Sequence, residues 1–110
     1  MVSKESQEKI GRLQLIEQNL QNFLAQKQQF QTQLFEVESA LKELDASSEA
    51  YKIVGNLMVK SDKGALQKDL QQRKEIAELR VKSLEKQEQQ LKDKAESLRK
   101  EVMASMQGEQ

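Results

Sequence analysis

The sequence predicts a mainly α chain: a long antiparallel two-helix coiled coil with one β-hairpin at its bend. Three observations predict it. Two heptad stripes share the 110 residues, a short run between them changes period from helix to strand, and helix breakers are scarce, with no Pro and four Gly.

The first stripe runs Leu13, Ile16, Leu20, Phe23, Lys27, Phe30, Leu34, Val37, Leu41 and Leu44. Its steps alternate between three and four residues, and Lys27 alone is not apolar. One helix cannot bury such a seam by itself, so the stripe demands a partner helix. In the second stripe Leu70, Ala77, Leu84, Leu91 and Leu98 recur at sevenfold spacing. Val81, Ala95 and Val102 fill its other seam position, while Lys74 and Glu88 interrupt it. Acid–base pairs four residues apart support the exposed face: Asp69–Arg73, Glu78–Lys82, Glu88–Lys92 and Glu96–Lys100. Each adds only ~0.2–0.5 kcal/mol, enough to favour a solvated helix and no sign of a ligand.

Each helix covers roughly 40 residues, or about 60 Å, and the link from Asp45 to Asp62 is far too short to run back along that length. The helices are therefore expected to be antiparallel, with both termini at the far tip. The expected boundaries within one domain, 1–110, are 1–46 for the first helix, 50–61 for the hairpin, 62–106 for the second helix and 107–110 for a frayed tail.

Inside the link, Tyr51-Lys52-Ile53-Val54 and Leu57-Met58-Val59-Lys60 are β-prone runs around Gly55-Asn56. Gly at the first central position suits a two-residue type II′ turn. Ser61 or Asp62 can cap the helix that follows. The turn pairs Val54 with Leu57, Ile53 with Met58, Lys52 with Val59 and Tyr51 with Lys60. One face then carries Val54, Leu57 and Val59, and the other Tyr51, Ile53 and Met58. A hairpin folded down on its own coil would keep one face polar, and two strands alone are marginal in water. The expectation is that hairpins of several chains join in a shared sheet or barrel.

Composition narrows the function. Charged residues make up 33% of the chain, yet Lys+Arg and Asp+Glu balance at 18 each, so no basic surface for nucleic acid is concentrated anywhere. With no Cys and no His, thiolate nucleophiles, imidazole bases and their metal sites are excluded. No Gly-rich loop precedes a Lys-Ser/Thr pair, so nucleotide binding has no motif. No signal-peptide core and no run of ~20 apolar residues is found, and a cytoplasmic location is expected. Neither enzyme activity nor a cofactor is expected.

Function should then rest on apolar side chains that the seam does not use. Near the tip these are Ile10 and Leu15 from the first helix and Met103 and Met106 from the second, with Val2 in the terminal turn or beyond it. Exposed apolar groups at the end of an arm are costly unless they bind something, and Met adapts to many surfaces. Ile76 and Leu79 are also off the seam, near the bend, and are expected to pack against a body or a neighbouring arm. Leu24 and Phe35 are off it too, with no role assigned.

The heptad arm, the segment Tyr51-Lys52-Ile53-Val54-Gly55-Asn56-Leu57-Met58-Val59-Lys60 and the stretch Lys86-Gln87-Glu88 together resemble the β-type subunit of prefoldin, the archaeal form above all. The likeness covers essentially the whole chain, and the hairpin is its specific part. It implies a hexamer of two α-type and four β-type subunits whose hairpins form a double β-barrel body. It also implies an ATP-independent chaperone that holds unfolded polypeptides at its arm tips and passes them to a cytosolic group II chaperonin. The assembly residues would be Tyr51, Ile53, Val54, Gly55, Leu57, Met58 and Val59. The alternative on the residues alone is a structural tether that oligomerises through its hairpin.

Overall fold

The structure, a computed structural model, describes residues 3–108. Its elements are α1 (Lys4–Ala46), β1 (Ala50–Val54), β2 (Leu57–Ser61) and α2 (Lys63–Gly108). The expected order holds. The second helix runs two residues past the expected end at 106 and takes in 107 and 108 of the expected tail, while 109–110 lie outside the described residues.

Three helix ends are met by side chains. Ser3 caps α1: the Ser6 N–H donates to its Oγ at 3.1 Å, and the Gln7 N–H to its carbonyl at 3.0 Å. Of the two expected caps for α2, Asp62 serves, accepting the Ala65 N–H at 3.2 Å, while Ser61 closes β2. The C-terminus of α1 lacks a glycine. Lys63 Nζ donates instead to the carbonyl of Asp45 at 3.4 Å and to that of Ser47, just past the helix, at 2.6 Å, and the Ser47 N–H donates to the Leu44 carbonyl at 3.2 Å. The start of α2 thus completes the end of α1, and Gln67 adds an amide bond to Asp45 Oδ1 at 2.8 Å.

The chain forms two compact units, one of residues 1–27 with 83–110 and the other of residues 28–82. In the first, α1 and α2 pack antiparallel around Ile16, Ala95 and Leu98, with Leu13, Leu20 and Leu91 against them. The ion pairs Lys9–Glu101 (3.5 Å) and Glu17–Arg99 (3.6 Å) flank that core. Lys27 and Glu88 meet in it across the seam at 3.3 Å. In the second unit the flanking helical segments carry the remaining stripe positions, from Phe30 to Leu44 and from Leu70 to Val81.

Burial follows the heptads closely. From Leu13 to Leu44 every stripe position is buried or half-buried, and every residue between them is exposed. The weaker second stripe keeps the expected register from Leu70 to Val102, where only Glu78 among the intervening residues is partly covered. On the outer face Asp69–Arg73 and Glu96–Lys100 close as expected, at 3.1 and 3.5 Å, and Glu88–Lys92 closes at 3.0 Å from the seam position of Glu88.

The hairpin has the expected register throughout, from Val54 opposite Leu57 to Tyr51 opposite Lys60, with Ala50 opposite Ser61 added. Gly55 sits at φ 60°, and among the described residues no non-glycine residue has positive φ. Asn56 therefore stays at negative φ, which excludes a type I′ turn and matches the backbone signs of type II′.

Candidate functional site

Exposed apolar side chains collect in two places. The larger collection is the hairpin. Leu57 is 70% exposed, Ile53 70% and Met58 69%, and Val54, Tyr51 and Val59 are also exposed. The period of two assigns Val54, Leu57 and Val59 to one face and Tyr51, Ile53 and Met58 to the other, and neither face is covered. Only Ala50, at the strand root, is buried. A two-stranded sheet also has two outer edges whose backbone groups have no strand partner here. Beside β1 an open groove of about 570 Å³ runs between Leu44, Tyr51, Ile53, Leu66 and Leu70. Polar groups steady the hairpin root: the Tyr51 hydroxyl donates to Glu49 Oε2 at 2.6 Å, and Lys60 stands 3.9 Å from the same carboxylate. The bond to Glu49 raises the Tyr51 pKa, because an ionised phenol would lose the proton it donates.

The second collection lies in the first unit, towards residues 3 and 108. Met103, Met106 and Leu15 are exposed, Met103 at 62%. Ile10 differs from the other three: it is half-buried, one position from the seam line that continues through Lys9. Val2 lies outside the described residues. Met103 and Met106, three apart, share one side of α2, while neighbouring Val102 is buried in the seam.

Beyond Leu13 the seam becomes polar. Ser6 is fully buried, its Oγ 2.8 Å from Ser105 Oγ, and it accepts a bond from the Ser3 hydroxyl at 3.0 Å. Lys9 bridges Glu5 at 3.7 Å and Glu101 at 3.5 Å. Sequence reasoning stopped at the last apolar position and so missed Ser6 and Ser105. The signal was present, since Ser6 and Lys9 continue the three-and-four spacing before Leu13 and Ser105 continues it after Val102.

A second missed feature is the contact between the two charged interruptions. Lys27 and Glu88 each broke a stripe, and the structure sets them against each other with side chains only 16% and 14% exposed. Lys92 reaches the same carboxylate at 3.0 Å. The hydrogen bonds from Lys92 and then Lys27 hold the Glu88 carboxyl below its ordinary value against the opposing effect of burial. Leu24, half-exposed, adjoins this pair across a shallow cavity of about 190 Å³ shared with Leu20 and Lys92. Phe35, Ile76 and Leu79 are exposed, with Ile76 beside Phe30 and Val37.

Among the described residues no cluster of acidic side chains could hold a metal ion, and no helix is long and apolar enough to cross a membrane. The family model described as prefoldin subunit matches residues 7–109. The chain belongs to the prefoldin family. It is 41% identical over 104 residues to the prefoldin subunit beta of Sulfurisphaera tokodaii, covering 92% of this chain and 83% of that one. It is 36% identical over 99 residues to the prefoldin subunit beta of Pyrobaculum islandicum, covering 87% and 79%. Among solved structures, the prefoldin beta subunit from Thermococcus strain KS-1 superposes with a TM-score of 0.88 at 32% identity, over 94% of both chains. The resemblance drawn from the hairpin and the heptads is thus borne out. Membership makes this chain a chaperone subunit of the prefoldin type.

Proposed function

We propose that this chain is a β-type subunit of an ATP-independent holdase that assembles through its hairpin and grips unfolded polypeptides at its tip. The observation that carries the reading is the hairpin, six of whose large apolar side chains stay exposed on two faces. A two-stranded hairpin that leaves both faces bare is marginal on its own, and joining hairpins of other subunits into a shared β-barrel body buries both. The partners are prefoldin subunits, an α-type subunit among them, in a hexamer of two α-type and four β-type chains. The complex works in the cytoplasm, catalyses nothing, and hands its clients to a group II chaperonin.

Client binding is assigned to Leu15, Met103 and Met106, with half-buried Ile10 contributing from the same end. Each exposed side chain offers about 1–2 kcal/mol of apolar contact, so one tip binds weakly and several on one complex bind through effective concentration. The test replaces Ile10, Leu15, Met103 and Met106 by Ser, none of which belongs to the hairpin. Assembled with its partner subunit, the variant should keep the parent's native mass and lose suppression of aggregation of a denatured client. Loss should be steep as variant subunits are mixed with parent ones, and parent activity should not depend on ATP. A variant complex of parent mass that protects like the parent removes the tip from the reading.

A further inference from the structure

The seam of the first unit carries a charged layer where an apolar one would be more stable. Lys27 and Glu88 lie 3.3 Å apart with little solvent access, between the seam positions Phe23 and Phe30 on α1 and Leu84 and Leu91 on α2. Replacing such a pair by well-packed apolar residues is commonly neutral or stabilising, so stability does not explain its presence. Placement does. Beside the hairpin, the short link from Ser47 to Asp62 ties the two helices covalently and sets their register there. The first unit is built from the far ends of the same two helices, about 20 residues along each from that link, so the link reaches its register only through the intervening helical segments. Its apolar layers repeat every seven residues, and a heptad slip exchanges one such layer for another at small cost.

We propose that the Lys27–Glu88 pair fixes the register of α1 against α2 in the first unit and selects the chain's own α2 as the partner of α1. A slip of one heptad sets Lys27 opposite Val81 and Glu88 opposite Leu20 in one direction, and Lys27 opposite Ala95 and Glu88 opposite Leu34 in the other. Either slip buries Lys27 opposite an apolar residue without a partner and leaves Glu88 only Lys92 of its own helix. Wrong helix pairs fail likewise: parallel α1–α1 sets Lys27 on Lys27, and parallel α2–α2 sets Glu88 on Glu88. Lys92, held to Glu88 at 3.0 Å, leaves that carboxylate in place for Lys27. The discrimination matters most where several copies of these helices are held close together.

The chain has no Cys, so introduced thiols report cleanly. Arg99→Cys is combined with Glu17→Cys, its observed neighbour at 3.6 Å, or with Ile10→Cys or Leu24→Cys, the positions one heptad to either side. A short thiol cross-linker is applied to the full chain, and products are resolved as within-chain or between-chain. With the native pair, the 99–17 product within one chain should dominate. In Lys27→Leu with Glu88→Leu, slipped and between-chain products should rise about tenfold or more while helix content is kept. The charge swap Lys27→Glu with Glu88→Lys should restore the parent pattern. A parent pattern in the double-Leu variant, or a helical charge-swap variant that loses the 99–17 product, overturns the proposal.

Discussion

The seam of the first unit and the hairpin of the second use similar apolar residues to opposite ends. Leu98 and Ile16 are 8% and 6% exposed, while Leu57 and Ile53 are each 70% exposed. The difference lies in period and partner. A heptad stripe on α1 finds its complement on α2 of the same chain, so the seam closes by itself. A two-stranded hairpin that is apolar on both sides has no complement within its own chain. Side chains buried at home hold the fold, and side chains left bare at home make the molecule depend on others.

The strongest way to break that contrast is a charge on the hairpin. Leu57→Asp or Val59→Asp should abolish assembly with partner subunits, because an unpaired charge in a shared sheet costs several kcal/mol. Circular dichroism of the isolated variant should stay as helical as the parent, since the seam is untouched. Size-exclusion chromatography of the mixed subunits reads the outcome, and an unchanged complex mass would show that the hairpin does not join chains.

The reciprocal substitution sits in the seam. Leu98→Ala removes a buried side chain from the cluster with Ile16 and Ala95 and should cost about 2–3 kcal/mol, near the low end for such changes because the seam is narrow. Thermal unfolding of the isolated chain should shift down accordingly. The same substitution at Leu57 should change stability by no more than ~0.5 kcal/mol, because Leu57 is 70% exposed in its own chain.

The smallest effect is acid dependence. The folded Glu88 carboxyl lies below its ordinary value of 4.5, so its contribution is present above that value and is lost as pH falls through the folded one. Glu88→Gln should therefore be less stable than the parent at neutral pH, with the gap flat from pH 7 down to about 5 and closing under stronger acid. Paired thermal melts across that range check it, and a constant gap would remove the carboxylate charge as its source.

Most of this architecture was legible because it is periodic. The ten positions from Leu13 to Leu44 and the hairpin register from Tyr51 to Lys60 needed only spacing and the Gly55-Asn56 turn. Polar positions were less legible, since a hydrophobic pattern marks them only as gaps. Lys27 and Glu88 were visible as two interruptions, but their meeting depends on the offset between two helices, which neither stripe alone contains. Ser6 looked like an ordinary N-terminal polar residue because its burial is set by Ser105, far along the chain. At the tip, spacing placed Met103 and Met106 off the seam, where they are exposed, and also placed Ile10 there, although it is half covered.

The ladder of contacts between the helices also sets an order in time. The Lys63–Ser47 bond closes 16 residues, the Lys27–Glu88 contact 61, and the Ser6–Ser105 contact 99. Closing a longer loop costs more chain entropy unless the shorter one has formed first. Folding therefore starts near the turn and zips outward, each layer shortening the search for the next. Unzipping runs the other way, so backbone amides around Ser6 and Ser105 exchange with solvent before those near Lys63. The end that meets clients under the proposed function is the last to form and the first to open.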